Sequence, residues 1–386
     1  MNKQWQSAKR VIELLEAQGF EAVIVGGAVR DYLLNRPFHD VDVATNALPE
    51  QVKEVFSNTV DVGIQHGTIL VLDAGEPIEV TTYRAESEYI DYRRPEQVFF
   101  VRNLEEDLKR RDFTINAIAM RNDGQLIDLF GGQQDLQAKM IRAVGDASER
   151  FQEDALRMLR AVRFRAQLGF YMDDATLNAM IQHAHLIEHI SVERIAQEFD
   201  KMFVSPYIYD AIMTIENTPL ANYLKGKFQS IHWINVYPKS VDEAWAYFYY
   251  LSNEEQLLND YKCSNKRKSF VKRVAELVEI PLEKWSTEVL FAYTLEELQS
   301  ANSINSWQRK PHIELSLLIE KKTQLPIQSA QDLAVSGKEL LEWNKQKRGP
   351  WIKEHLQAIT KAVLDRQVEN KIHPIKEWYD EKFNKG

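Results

Sequence analysis

The sequence predicts an α+β head, a mixed sheet with helices, followed by an all-α remainder. Three observations carry this. Over residues 1–145, short apolar runs bounded by glycine alternate with amphipathic stretches. From about residue 148 onward, apolar residues recur at helical spacing almost without interruption. The later chain is punctuated by prolines, at Pro206, Pro219, Pro238, Pro281, Pro311, Pro326 and Pro350, and lacks period-2 runs.

The elements follow in order. Residues 5–18 carry apolar positions at helical spacing, closed by Gly19. Ala22-Val23-Ile24-Val25 reads as a strand ended by Gly26-Gly27, and 29–34 as a helix. Val41-Asp42-Val43-Ala44 is strand-like, and Asn46 is placed to cap a helix with Pro49 in its first turn. Residues 68–73 and 77–83 read as two strands turning at Gly75. Residues 84–103 form a polar, charged segment without period, too long for an idle connection and therefore expected to be mobile and functional. Residues 104–120 have a helical pattern; Leu126-Ile127-Asp128 leads into Gly131-Gly132, and 140–144 closes the head. Three amphipathic helices are expected over 151–166, 174–187 and 192–203.

Composition narrows the class. The chain has 386 residues, 44% hydrophobic and 27% charged, and a net charge of −9. That is ordinary for a globular protein and long enough for several domains. The single cysteine, Cys263, excludes a disulfide framework and a cysteine-rich zinc site. Residues 1–10 are polar, without the apolar core of a signal peptide, and no run of eighteen apolar residues exists. A cytoplasmic protein, without membrane contact, is the expectation. The charge is uneven. Residues 1–200 hold 22 basic and 33 acidic side chains, whereas 201–386 hold 26 and 24. Lys262, Lys266, Arg267, Lys268, Lys272 and Arg273 form a basic run without an acid, a candidate phosphate contact whose plain alternative is a solvated helix face.

Four constellations point to chemistry. Gly26-Gly27-Ala28-Val29-Arg30-Asp31 opens a helix after a strand, where backbone N–H groups can approach phosphate and Arg30 can fork onto it. Asp40 and Asp42 are two apart on an expected strand, so their carboxylates should face one way. Such a pair repels unless a cation lies between, and oxygen ligands beside triphosphate suit Mg²⁺. Two such ions can activate a hydroxyl and stabilise departing pyrophosphate. Glu79 on the next strand is a candidate third carboxylate, with a solvated strand position as the alternative.

The dipeptide His39-Asp40 also occurs in metal phosphohydrolases, but the other histidines form no matching ligand set. In Lys109-Arg110-Arg111-Asp112-Phe113-Thr114-Ile115-Asn116, Arg111 can grip a triphosphate, and Asp112 can cap a helix or bond a ribose hydroxyl. In Glu153-Asp154-Ala155-Leu156-Arg157, a continuous helix would place Asp154 and Arg157 one turn apart. Arg157, Arg160 and Arg163 find no acid over 155–172 and so call for an anionic partner.

These motifs, with Asp128-Leu129-Phe130-Gly131-Gly132-Gln133-Gln134-Asp135-Leu136 between the last two, come in an order that resembles the class II tRNA nucleotidyltransferases. These are the CCA-adding enzymes of the polymerase β-like superfamily. Ser191-Val192-Glu193-Arg194-Ile195, Ser336-Gly337-Lys338-Glu339-Leu340-Leu341 and Arg348-Gly349-Pro350-Trp351 resemble the Gram-positive bacterial members.

The resemblance spans essentially the whole chain, closest over 20–200. It implies a nucleotidyltransferase head (1–145), a helical neck reading the base (146–203), a helical body (204–300) and a helical tail binding tRNA (301–386). It implies two Mg²⁺ held by Asp40 and Asp42, and a nucleotide gripped by Gly26, Gly27, Arg30, Arg111, Asp112, Arg160 and Arg163. Asp154 and Arg157 would read the incoming base, and 128–136 would be a hinge. A flexible loop containing Arg84, Asp91, Tyr92, Arg93 and Pro95 would serve the final A. Partners would be the acceptor end and elbow of tRNA, with CTP and ATP as substrates, and the protein a monomer or homodimer.

Hydrogen-bond logic supports the base-reading pair. Cytosine and adenine both present an amino donor beside a ring-nitrogen acceptor. A carboxylate only accepts and a guanidinium only donates, so the pair suits C and A and opposes U and G. A poly(A) polymerase, or an enzyme adding only CC or only A, is the nearest alternative. A non-catalytic RNA-binding protein on a dead head is the alternative from another class.

Overall fold

The computed structural model describes residues 3–38, 40–63, 67–86, 89–90, 94–95, 98–344 and 346–383. The chain separates into two units. One comprises residues 1–237 with 259–262, the other 238–258 with 263–386.

The first unit begins with helix α1 (Lys3–Ala17), which buries Trp5, Ala8, Val11, Ile12 and Leu15, one apolar stripe at helical spacing. Strand β1 (Ala22–Val25) is buried at all four positions, as a central strand covered on both faces must be. Helix α2 (Gly27–Leu33) follows directly. Then come β2 (Asp42–Thr45), α3 (Pro49–Val55), β3 (Thr59–Gly63), β4 (Thr68–Asp73) and β5 (Glu76–Thr82). Residues of the next segment pair as two short antiparallel ribbons. Strand β6 (Arg84–Glu86) pairs with β9 (Val98–Phe100), and β7 (Tyr89–Ile90) with β8 (Arg94–Pro95). Asp91, Tyr92 and Arg93, placed by the sequence in a flexible loop, lie outside the described residues.

Helix α4 (Leu104–Lys109), β10 (Ile118–Met120), β11 (Leu126–Asp128) and α5 (Gly132–Ala138) complete the head. Seven strands form one sheet in the order β11-β10-β1-β2-β5-β4-β3. All its pairs are antiparallel except β2 with β5, which run parallel.

Two expectations of the head need correction. The helical pattern over 104–120 is a helix only to Lys109; Ile118–Met120 is a strand. Ile24 and Val25 of β1 take Met120 and Ala119 as ladder partners, and that long-range pairing overrides the local periodicity. Asn46 does not cap α3. Its side chain accepts from the Glu21 amide at 2.9 Å, and the Leu48 amide instead donates to Gln51.

After β12 (Met140–Ile141) the first unit turns helical: α6 (Ala147–Glu153), α7 (Leu156–Leu168), α8 (Asp174–His183) and α9 (Val192–Phe203), with β13 (Tyr171–Met172) pairing β12. The single helix expected over 151–166 is broken at Asp154, whose backbone is extended (φ −138, ψ 102). A mid-helix aspartate competes for backbone donors, and here Asp154 accepts from the Leu156 amide at 3.1 Å, starting α7 afresh.

The second unit is helical, with its longest helices at Val241–Ser252, Asn265–Glu279, Leu295–Trp307, Trp351–Leu364 and Ile372–Phe383. Among the described residues, no helix is long and apolar enough to cross a membrane.

Candidate active site

The turn after β1 builds the floor of the site. Gly26 caps α2 with φ +76, a conformation that side chains rarely tolerate. A Cβ there would come within 3.2 Å of an Arg111 guanidinium nitrogen and 4.0 Å of an Asp42 oxygen. The bare backbone therefore lies open between a cation and a carboxylate.

Asp42 starts β2, and the parallel register sets it opposite Glu79 of β5. Adjacent residues of a parallel pair project to one face, so both carboxylates point the same way. Asp40 lies before the strand, not on it, and is exposed. The strand thus begins at Asp42 and sets it beside Glu79, while Asp40, just before it, is close enough for its charge to act on Asp42. The Asp42 carboxyl is pushed up to about 6, first by burial, then by Glu79 and, more weakly, Asp40, while Arg111 pulls the other way. A buried carboxylate pushed up by the charge of neighbouring carboxylates is chemically suited to a divalent metal. No three His, Cys, Asp or Glu side chains among the described residues form a ready-made metal cage. The donor set instead fits Mg²⁺, which takes one or two carboxylates and completes its shell with water and substrate phosphate.

Above this floor opens a cavity of about 670 Å³, within the range of small-ligand pockets. Its walls carry eight arginines (Arg30, Arg84, Arg110, Arg111, Arg157, Arg160, Arg163 and Arg194) against Asp42, Glu79, Asp107, Asp112 and Asp154. An excess of guanidinium in an acidic head marks a place built for an anion.

Most of these arginines are held in place by groups of the chain itself. Arg30 forks onto Asp31 at 2.9 and 2.8 Å and donates to Asn116 at 2.8 Å. Asp107, 1% exposed, takes Arg110 at 2.7 Å and Arg111 at 3.2 Å. Burial alone would raise the Asp107 carboxyl, but these two guanidinium groups hold it below its ordinary value. Arg160 donates twice to Asp112, at 2.8 and 2.5 Å. Asp112 also accepts from the Phe113 amide at 2.8 Å and from Asn116 at 3.0 Å. Against its burial, Arg160 and Asn116 keep it well below the usual carboxylate range. Four accepted bonds fill the capacity of a carboxylate, so the expected ribose contact would have to displace one of them.

The anionic partners sought for the α7 arginines are thus supplied by the chain: Glu153 for Arg157 at 2.5 Å, Asp112 for Arg160, and Glu198 for Arg163 at 2.5 Å. Asp154 and Arg157 both line the cavity but do not share a helix face. Asp154 instead binds Arg194 of α9 at 2.7 and 3.3 Å. Arg194 was legible only as part of a motif, because nothing in spacing relates it to Asp154.

The basic run does not present six unpartnered charges. Lys262 pairs with Glu193, Arg267 with Asp242 and Arg273 with Glu297, each at 2.6 Å. Lys262 also belongs to the first unit, whereas the helix Asn265–Glu279 lies in the second.

Comparison with known proteins gives the same picture. Residues 22–142 match a family model described as the poly A polymerase head domain. Residues 169–228 match one described as a probable RNA and SrmB-binding site of polymerase A, and 237–379 a putative tRNA nucleotidyltransferase domain 2. The chain is 41% identical over 397 aligned positions to a CCA-adding enzyme of Bacillus cereus, covering 98% of this chain and 99% of that one. It is 43% identical over 393 positions to a CCA-adding enzyme of Anoxybacillus flavithermus, covering 98% and 97%. The crystal structure of the Bacillus stearothermophilus CCA-adding enzyme in complex with CTP superposes with a TM-score of 0.87 at 38% identity, covering 100% of this chain and 98% of that chain. The sheet order, the arginine-lined cavity and these full-length likenesses agree: the chain belongs to the CCA-adding enzymes of the polymerase β-like nucleotidyltransferase superfamily.

Proposed function

We propose that the head cavity takes one CTP or ATP at a time and transfers its nucleotidyl group to the 3′ hydroxyl of a tRNA. The protein thereby builds C, C and A in the cytoplasm and releases pyrophosphate. One observation carries the reading: the opposed carboxylates Asp42 and Glu79 and eight arginines line a single cavity. That is the charge pattern of a metal–triphosphate complex. The likeness to a CCA-adding enzyme solved with CTP supports it.

In this reading Asp42 and Asp40, with Glu79 beside Asp42, would hold two Mg²⁺ ions. The chemistry such ions would supply there is a lowered pKa for the attacking hydroxyl and offset charge on the departing pyrophosphate. The open backbone at Gly26 and Gly27 lets the triphosphate lie close, and Arg30, Arg111, Arg160 and Arg163 draw on its oxygens. Asp112 is assigned to holding Arg160 and Asn116 in place. Asp154 accepts three hydrogen bonds, from the Leu156 amide and twice from Arg194. A carboxylate has about four acceptor sites, so one remains for the amino group of cytosine or adenine. Arg157 donates to the ring nitrogen.

We further propose the finer division into head (1–145), neck (146–203), body (204–300) and tail (301–386). The tail, with Lys266, Lys268 and Lys272 of the body, contacts tRNA phosphate. A poly(A) polymerase is the weaker reading, since the relatives similar over the full length are CCA-adding enzymes.

The test is pyrophosphate release from the full chain with Mg²⁺, a tRNA lacking its CCA end, and each nucleotide alone or CTP with ATP. Release with CTP, further release when ATP is added, and little with UTP or GTP is expected. Equal release with all four would overturn the base-reading assignment, and none with any would overturn the activity.

A further inference from the structure

Phe164 of α7 sits among three of the cavity's cations. It is 4% exposed and lines the cavity. The guanidinium carbon of Arg163 lies 4.1 Å from its ring centre, that of Arg30 5.1 Å and that of Arg160 5.7 Å. Phe113 packs edge-on against the same ring at 5.7 Å.

Three cations so close repel one another. Burial pushes the Arg163 guanidinium down from its ordinary value, Glu198 pulls it back, and Arg160 pushes it down again. Each cation has one carboxylate at its side: Asp31, Asp112 and Glu198 respectively for Arg30, Arg160 and Arg163. A further carboxylate among them would neutralise the charge a triphosphate needs. A polar side chain would occupy the N–H donors. An aromatic ring attracts guanidinium through its negative face and takes no hydrogen bond from it. The described residues offer no acceptor to Nη1 of Arg160, whose two bonds to Asp112 use Nε and Nη2.

We infer that Phe164 is a positioning residue that gathers Arg30, Arg160 and Arg163 around one ring, keeping their remaining donors aimed at the triphosphate of either nucleotide. The inference rests on the nucleotide site proposed above. The ring touches no reacting atom. Its effect is on grip, the same for CTP and ATP, and not on which base is accepted.

The test compares the wild type with Phe164→Leu, Phe164→Met and Phe164→Tyr. Leu and Met keep an apolar side chain of similar bulk and lose the ring face; Tyr keeps the face. Binding of inorganic tripolyphosphate, measured by calorimetry, isolates the grip from the base and from turnover. The expected result is about tenfold weaker tripolyphosphate binding for Leu and Met, with most of the affinity recovered by Tyr. In steady-state assays, KM for CTP and for ATP should rise by a common factor while kcat and the exclusion of UTP stay within about twofold of wild type. Binding of the Leu and Met variants equal to wild type overturns the inference, as does a Tyr variant as weak as Leu. Should Leu fail to fold, the Met and Tyr pair decides. A wild-type protein that binds tripolyphosphate but incorporates no nucleotide overturns the proposed function and leaves this inference standing.

Discussion

Asp154 and Arg194, on different elements and 40 positions apart in the chain, meet at 2.7 Å on the wall of the nucleotide cavity. Both oxygens of the carboxylate are taken by the one guanidinium, which fixes the plane of the group that accepts from the base.

Arg194→Ala is therefore expected to leave Asp154 free to rotate. The expected outcome is a loss of about 10–100-fold in kcat/KM for CTP and ATP and a narrowed gap between CTP and UTP. Arg194→Lys should recover little, because a point charge cannot hold two oxygens in plane. Competition assays with CTP and UTP on one tRNA check this; unchanged discrimination in Arg194→Ala would remove the positioning role.

Asp154→Ala deletes the acceptor itself. Discrimination against UTP should fall by about tenfold or more, the value of leaving one buried donor unpaired. A variant that rejects UTP as strongly as wild type would show that the base is read elsewhere.

Asp42 makes a pH prediction with a definite sign. Its carboxyl titrates at about 6 in the fold against 3.8 ordinarily. Between those values the folded protein keeps a proton that the unfolded chain has lost, so this group's contribution to stability falls as pH rises through the window. Asp42→Asn carries no such charge. In metal-free buffer its advantage over wild type in urea unfolding should grow from about pH 4 to pH 6 and then level off. The same variant, and Asp42→Ala, should fold and incorporate no nucleotide. Normal turnover by folded Asp42→Ala would remove the metal role.

Glu198 and Arg163 form a pair buried on both sides, at 7% and 8% side-chain exposure. Glu198→Ala strands a buried cation, which costs about 3–5 kcal/mol in such pairs. A drop in the urea midpoint of that size is expected, and a change under about 1 kcal/mol would mean that water or another group replaces the carboxylate.

How much of this could be read from the sequence follows from which interactions are local. The strand–Gly26-Gly27–helix unit was legible because a strand, a turn and a helix start are set by neighbouring residues. Asp42 and Glu79 were legible as candidates, but their alignment comes from a parallel ladder across 37 residues, and Asp40 fell off the strand. Residues 118–120 carry a helical pattern and still form a strand, because β1 needs a second partner. Arg157 takes the nearby Glu153, but Arg160 and Arg163 seemed to lack acids, since their carboxylates come from Asp112, 48 residues upstream of Arg160, and Glu198, 35 downstream of Arg163. Spacing along a helix reports neighbours within two turns; it is silent on side chains delivered by another element.

Product sizing decides whether the chain adds C, C and A and then stops. The full chain is incubated with Mg²⁺ and a tRNA ending before its CCA, with labelled CTP alone, ATP alone, or both. Two added residues are expected with CTP alone, three with both, and next to no extension with ATP alone. A ladder of many residues with ATP alone, or growth past the third residue with both, would contradict CCA addition.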